Sequence, residues 1–261
     1  MRVRLKREII GAMARRLIAI AALMLVSAVS PLHAQESLID RLAGDKLGDV
    51  QAGTYIAGDS VKFGLSWDGE NFLLRFDGNP EVFVLYAARA SMGGREFKFD
   101  SGETALQVAG WGGITLYTDG QPGGLPAVRT GDTLAPSPPN VSFGDMQNAA
   151  NDEAEHLAYM RGLHLAFNSD WNTLASNAIT RSYAFDTMEN TVRGLDRFSV
   201  SGPAREALAH RVDMVTIQTA AKPTITLNAR TLVVTFNPSR GYEGRASSRA
   251  IARALNIVFK K

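Results

Sequence analysis

The chain contains no cysteine among its 261 residues. Disulfides, thiol nucleophiles, thiolate zinc sites and iron–sulfur clusters are therefore excluded, and an apolar core alone must hold the fold. Histidine is nearly as scarce, with only His156, His164 and His210 after the first 34 residues. Asp152 and His156 stand four apart and could offer two ligands from one helix. Glu153 lies eleven residues before His164, about 16 Å along a helix and too far to share an ion. No metal site is expected, and His164, seven residues after Leu157, reads as a partly buried, hydrogen-bonded side chain. Gly-x-Ser-x-Gly, Ser-x-x-Lys and His-Glu-x-x-His patterns are absent too, which leaves no familiar hydrolase nucleophile or zinc peptidase motif. No cofactor is expected, and a non-catalytic protein is favoured over an enzyme.

A membrane-spanning helix needs about 20 apolar residues. The run Leu17 to Val29 has 13 and ends near Pro31. It follows six basic residues and precedes "SPLHA", the layout of a Sec-type secretory signal peptide with a cut after Ala34. Residues 1–34 are therefore expected to be removed, with the start codon at Met1 or Met13, and the remainder to be periplasmic or secreted without a transmembrane segment. The whole chain carries 28 basic and 26 acidic residues. Removing the leader takes away six basic residues and one acidic residue, leaving −3. The basic isoelectric point belongs to the leader, so nucleic acid is not an expected partner.

The remaining residues, 35–261, read as a single α+β domain. Ser37 to Leu47 has the spacing of a short capped helix. From Gly53 to Asp132 the apolar period is two, in runs such as "VKFGLSW", "NFLLRF" and "EVFVLYAARA". Turn signals at Asp68-Gly69, Asp77 to Pro80, Gly93-Gly94, Ser101-Gly102, Gly112-Gly113 and Asp119-Gly120 separate them. Antiparallel hairpins in a sandwich or a barrel-like sheet follow from that spacing. Residues 134–140, "LAPSPPN", form a stiff linker. A helical hairpin is expected over 145–198, with helices over Asp145–Ala166 and Asp170–Phe198 joined by "NSD" as antiparallel neighbours. The C-terminal segment 200–261 predicts a short helix over Pro203–His210 and strands at "MVTIQT", "PTITL" and "TLVVTF". These strands should join or cover the first sheet, and a terminal helix should bury Ile251, Leu255 and Val258 while Arg249 and Arg253 point the opposite way.

Charge is unevenly placed. Residues 35–170 sum to −10 and residues 200–261 to +7. Either the basic end packs beside the acidic sheet, or it offers a basic face to an anionic envelope polymer or lipid headgroup. The sharpest feature is "NPSRGYEGRASSRAIARAL", Asn237 to Leu255. Strand, glycine-bearing loop and helix start come in that order, and unpaired N–H groups at a helix start attract anions. Arg240, Arg245, Ser247, Ser248 and Arg249 are the anion-binding candidates, with bidentate arginine contacts in view. The competing reading is a capped helix whose arginines pair with acidic neighbours. Asp100-Ser101-Gly102 has the aspartic peptidase triplet, so Asp100 is the one candidate catalytic residue, in a dimeric enzyme of the retroviral type. The same triplet serves a plain hairpin turn. The aromatics of "WDGENF", "GWGGITLY" and "SDW" could line a sugar platform or fill a core.

The patterns "LLRFDGNPEVFVL", "GGITLYTDGQPGGLPA" and "NPSRGYEGRASSRAI" resemble an uncharacterised family of exported Gram-negative bacterial proteins, a domain of unknown function. The resemblance implies export and a single module, and brings no activity, cofactor or catalytic residue with it.

Overall fold

The computed structural model describes residues 50–90 and 93–259. The expected leader and the expected helix over Ser37–Leu47 lie outside the described residues. Within them the architecture is α+β, a closed barrel followed by helices and a second, smaller sheet.

The barrel is an up-and-down meander of eight antiparallel strands: β1 (Gly53–Ala57), β2 (Val61–Asp68), β3 (Asn71–Phe76), β4 (Val82–Arg89), β5 (Arg95–Phe99), β6 (Thr104–Val108), β7 (Ile114–Thr118) and β8 (Gln121–Gly131). Pairing of β1 with β8, Ile56 opposite Val128, closes it. Period-two patterning fills the inside: Tyr55 and Ala57 on β1, Phe63 and Leu65 on β2, Phe72 and Leu74 on β3, Phe83 and Leu85 on β4, all buried. An eight-stranded barrel has an interior about wide enough for side chains, and aromatic rings occupy it. Phe83 meets Phe99 at 5.2 Å, Phe72 meets Phe97 at 5.3 Å, and Tyr55 stacks on Phe63 at 5.3 Å. Each of the six sequence-derived turn signals falls at one of its hairpin turns.

Residues 132–142 cross without regular structure, and the second half begins at α1 (Phe143–Arg161). Ser142 caps it, accepting from the Asp145 N–H. Here the sequence reading needs three corrections. The helix does not run to Ala166: Gly162 takes a left-handed φ of 67° and stops it, as glycine at that position commonly does. His164 falls in the exposed loop beyond it rather than half-buried on a helix. Residues 166–169, expected to end the first helix and enter the "NSD" connection, form instead a strand, β9 (Ala166–Ser169), parallel to β10 (Met214–Thr219). The next helical stretch is broken at Asn177 into α2 (Trp171–Ser176) and α3 (Ala178–Phe198), because the Asn177 backbone is extended and its side chain caps α3 at Thr180. After α4 (Gly202–Arg211), capped by Ser201, β10 pairs in parallel with β12 (Thr231–Phe236), and β11 (Ile225–Asn228) pairs antiparallel to β12.

The fourth correction concerns this second sheet, of order β11-β12-β10-β9. The C-terminal strands do not join the barrel, since closure of β1 on β8 leaves no free edge to extend. They recruit β9 and build their own core with α1, α3 and α5 (Ser248–Phe259). Helix α5 buries Ile251 and Leu255 against α3, while Val258 is only half-buried. Gly194 makes the approach possible, since a Cβ there would lie 2.6 Å from Ile251 Cγ2. Between β12 and α5, a 3₁₀ segment (Pro238–Gly244) closes on itself through the Asn237 N–H to Gly244 carbonyl bond of 2.7 Å. It delivers Tyr242 onto Leu73, Val82 and Val84, the outward-facing apolar residues of β3 and β4.

Candidate functional site

The N-terminus of α5 sits against the barrel. Ser247 caps the helix, its Oγ accepting from the Ala250 N–H at 3.2 Å. Its own N–H donates to Asp100 at 2.7 Å and its hydroxyl to the other oxygen of the same carboxylate at 2.5 Å. Ser248 repeats this on Glu81, N–H at 2.7 Å and hydroxyl at 2.8 Å. Free N–H groups at a helix start attract anions, and here two barrel carboxylates are the anions. Glu81 is almost wholly buried. Burial pushes its carboxyl above the usual range, against the opposing effect of the Ser248 hydrogen bonds.

Arginines surround these serines. Arg245 is buried, forms an ion pair with Asp186 of α3, donates to the Val82 carbonyl at 2.8 Å and lies 5.0 Å from the Tyr242 ring centre. Arg249 spans Glu103 and Asp119 at 2.6 Å each and lies 4.4 Å from the Phe99 ring centre. Arg197 of α3 joins Asp119 from the other side at 2.6 Å and donates to Ser248 Oγ at 3.1 Å. Arg253 donates to the Ser101 carbonyl. Thus Arg249 and Arg253 do point away from Ile251 and Leu255, but toward the barrel. Acidic side chains of the barrel and basic side chains of the C-terminal segment meet at this surface.

Of the five anion-binding candidates, the fold gathers Arg245, Ser247, Ser248 and Arg249 along this seam. Arg240 lies apart on the 3₁₀ segment, paired with Glu243 at 2.8 Å. Asp100 lies in the β5–β6 turn with both oxygens taken by Ser247, whereas a peptidase dyad has two carboxylates sharing a proton. Trp67 stacks on Phe72 and Trp171 meets Phe143 edge-on, while Trp111 is exposed at the β6–β7 turn. Trp67 and Trp171 therefore pack against different rings and Trp111 stands in solvent, so the three do not form one platform.

The sequence reading missed Glu81, Glu103, Asp119, Asp186 and Arg197. It also missed a cleft of about 500 Å³ beside the seam, where Glu81, Glu153 and His156 face Glu189, Arg193 and Arg197. Glu189 pairs with Arg193 at 2.7 Å. Burial and the neighbouring Glu153 carboxyl, which is hydrogen-bonded to it, nevertheless push Glu189 up to about 7. The spacing of Glu189 and Arg193, four apart on a helix, was visible in the sequence; the approach of Glu153 from α1 was not. Among the described residues, no group of three or more His, Asp or Glu side chains could hold a metal ion. No described helix is long and apolar enough to cross a membrane.

A family model described as Domain of unknown function (DUF4908) matches residues 35–255. The chain belongs to this family. No curated protein and no solved structure matches it. The family match covers the barrel, the second sheet and all but the last turn of α5.

Proposed function

We propose that this protein is an exported, non-catalytic module, one α+β domain over residues 35–261, that binds an anionic group of the cell envelope at the rim of its barrel. The observation that carries this reading is the convergence of Arg197 and Arg249 on one carboxylate. These guanidinium groups come from two different helices, and Asp119, at the tip of the β7–β8 turn, lies between them. Asp119 is 58% exposed, unlike the interior partners of Arg245 and Ser248. A pocket of about 400 Å³, lined by Arg249, Asp119, Thr118 and Tyr117, opens beside it. Burial alone would raise the Asp119 carboxyl, but the Arg197 hydrogen bond and the Arg249 charge outweigh it and hold it low. The seat therefore already stabilises a negative oxygen pair, and a phosphate or carboxylate entering from solvent would meet the same two guanidinium forks. Arg245, Ser247 and Ser248 would act as the frame that fixes α5 and the seat.

Titration with inorganic phosphate and with glycerol phosphate at low and moderate salt tests this on three proteins. Asp119→Ala removes the internal occupant and should bind about tenfold more tightly than wild type. Arg197→Ala/Arg249→Ala should not bind, and salt should weaken every positive result. Equal or salt-insensitive binding by all three overturns the proposal. Export is tested separately, by fractionation and N-terminal sequencing. A chain starting at Gln35 outside the inner membrane is expected, and an uncleaved membrane-bound chain would refute the address.

A further inference from the structure

We infer a second binding site, for a small amphipathic organic anion, in the cleft of about 530 Å³ between the outer face of β2–β3 and the strap at residues 133–136. Its floor is set by strand alternation. Phe63 and Leu65 point into the barrel, so Lys62, Gly64 and Ser66 point outward. Across from them Arg75 is opposite Gly64, and Leu73 is opposite Ser66. Glycine at position 64 lets the strap pass close, since a Cβ there would lie 2.9 Å from Thr133 Oγ1.

Two independent features point to a ligand. The first is Ser66. The residue lines the cleft and is 6% exposed, and its Oγ has no hydrogen-bond partner among the described residues. A buried unpartnered hydroxyl is costly, and a polar atom of a ligand would remove that cost. The second is charge. Arg193, Arg197, Arg245 and Arg249 all have carboxylate partners, but Lys62 and Arg75 form no ion pair among the described residues, although both line this cleft. Among the described residues Asp77 is the single acidic one lining the cleft, so the described lining carries a net positive charge. Phe76, Leu73 and the exposed Leu134 supply the apolar part. Clefts of this size, apolar with a few converging polar groups, suit small-molecule ligands. The acid group would sit between Lys62 and Arg75, with a polar atom on Ser66 and a short hydrocarbon under the strap.

The experiment is titration of the full chain, below any micelle concentration, with decanoate and decyl phosphate. Decyltrimethylammonium and inorganic phosphate serve as comparisons, all followed by calorimetry. Wild type should bind one or both decyl anions, and the two arms decide between a carboxylate and a phosphate ester. Lys62→Gln/Arg75→Gln, a change confined to exposed side chains, should weaken binding at least tenfold. Ser66→Leu should block it, with circular dichroism checking that the barrel persists. Arg197→Ala/Arg249→Ala, which removes the rim seat, should still bind the decyl anions, which separates this cleft from the rim. Absence of binding by wild type, equal binding of the decyl cation, binding of inorganic phosphate as tight as that of the decyl anions by the Arg197→Ala/Arg249→Ala protein, or insensitivity to the Lys62/Arg75 variant overturns the inference.

Discussion

Removing Arg245 probes the seam where it is driest. The Arg245 side chain is 1% exposed, and its partners are the Asp186 carboxylate and the Val82 carbonyl. Arg245→Met keeps most of the packing under Tyr242 but leaves a buried carboxylate with no counter-charge and a carbonyl with no donor. Breaking a buried ion pair from one side costs roughly 3–5 kcal/mol, and replacing both partners by apolar groups of similar size is often close to neutral. A domain of this kind is stable by only about 5–15 kcal/mol in total, so the single variant should be severely weakened. Urea unfolding of wild type, Arg245→Met, Asp186→Leu and the double variant forms a double-mutant cycle. The expected outcome is a loss of about 3 kcal/mol or more for each single change and recovery of most of it in the double. If Arg245→Met costs less than about 1 kcal/mol, or the double variant loses the sum of the two singles, the pair is not the tie between β4, α3 and the approach to α5, and the reasoning fails. Should a single variant not fold at all, the double variant still decides, because it must fold if the coupling is real.

Two further outcomes follow from the same geometry. Glu189 is raised from 4.5 to about 7, so between those values the folded state holds a proton that the unfolded chain has released. Stability should therefore fall as pH rises through that window and level off above it. Glu189→Gln should gain about 1–2 kcal/mol relative to wild type on moving from pH 5 to pH 8, after allowance for solvent screening; parallel stability profiles for the two proteins would exclude the effect. At the α3–α5 crossing, Gly194→Ala should cost roughly 1–3 kcal/mol by overpacking against Ile251, and an unchanged melting temperature would show that α5 slides freely at that point.

What was legible in the sequence was local. Turn chemistry at Asp68-Gly69 or Asp119-Gly120 and period-two runs such as Val61 to Trp67 depend on neighbours only a few residues away, so the β-rich half, its hairpins and the terminal helix could be read directly. A capped start to the terminal helix, at Ser247 or Ser248, followed from the same short-range logic, as did the β12–loop–helix order that singled out the arginines. Strand β8 was harder to see because Pro122, Gly123, Gly124 and Pro126 weaken its strand signal, yet it closes the barrel. Four residues at Ala166–Ser169 carry too little pattern to announce a strand; only the vacant edge of β10 makes them one.

The sequence by itself determined the absence of thiol chemistry, the alternation that fills the barrel, and the acidic and basic halves. Only the tertiary structure decided which acid meets which base. Glu81, Asp100 and Asp119 are 130 to 167 residues from their partners on α5, and no periodicity links groups that far apart in the chain. Closure of the barrel brings those turns to one rim, and packing of α5 on α3 through Gly194 presents the serines and arginines to them. A helix start that in isolation reads as open to any anion is thereby filled by the protein's own carboxylates, and the partners of Arg249 at the exposed edge, Asp119 and Glu103, lie where solvent can compete for their place.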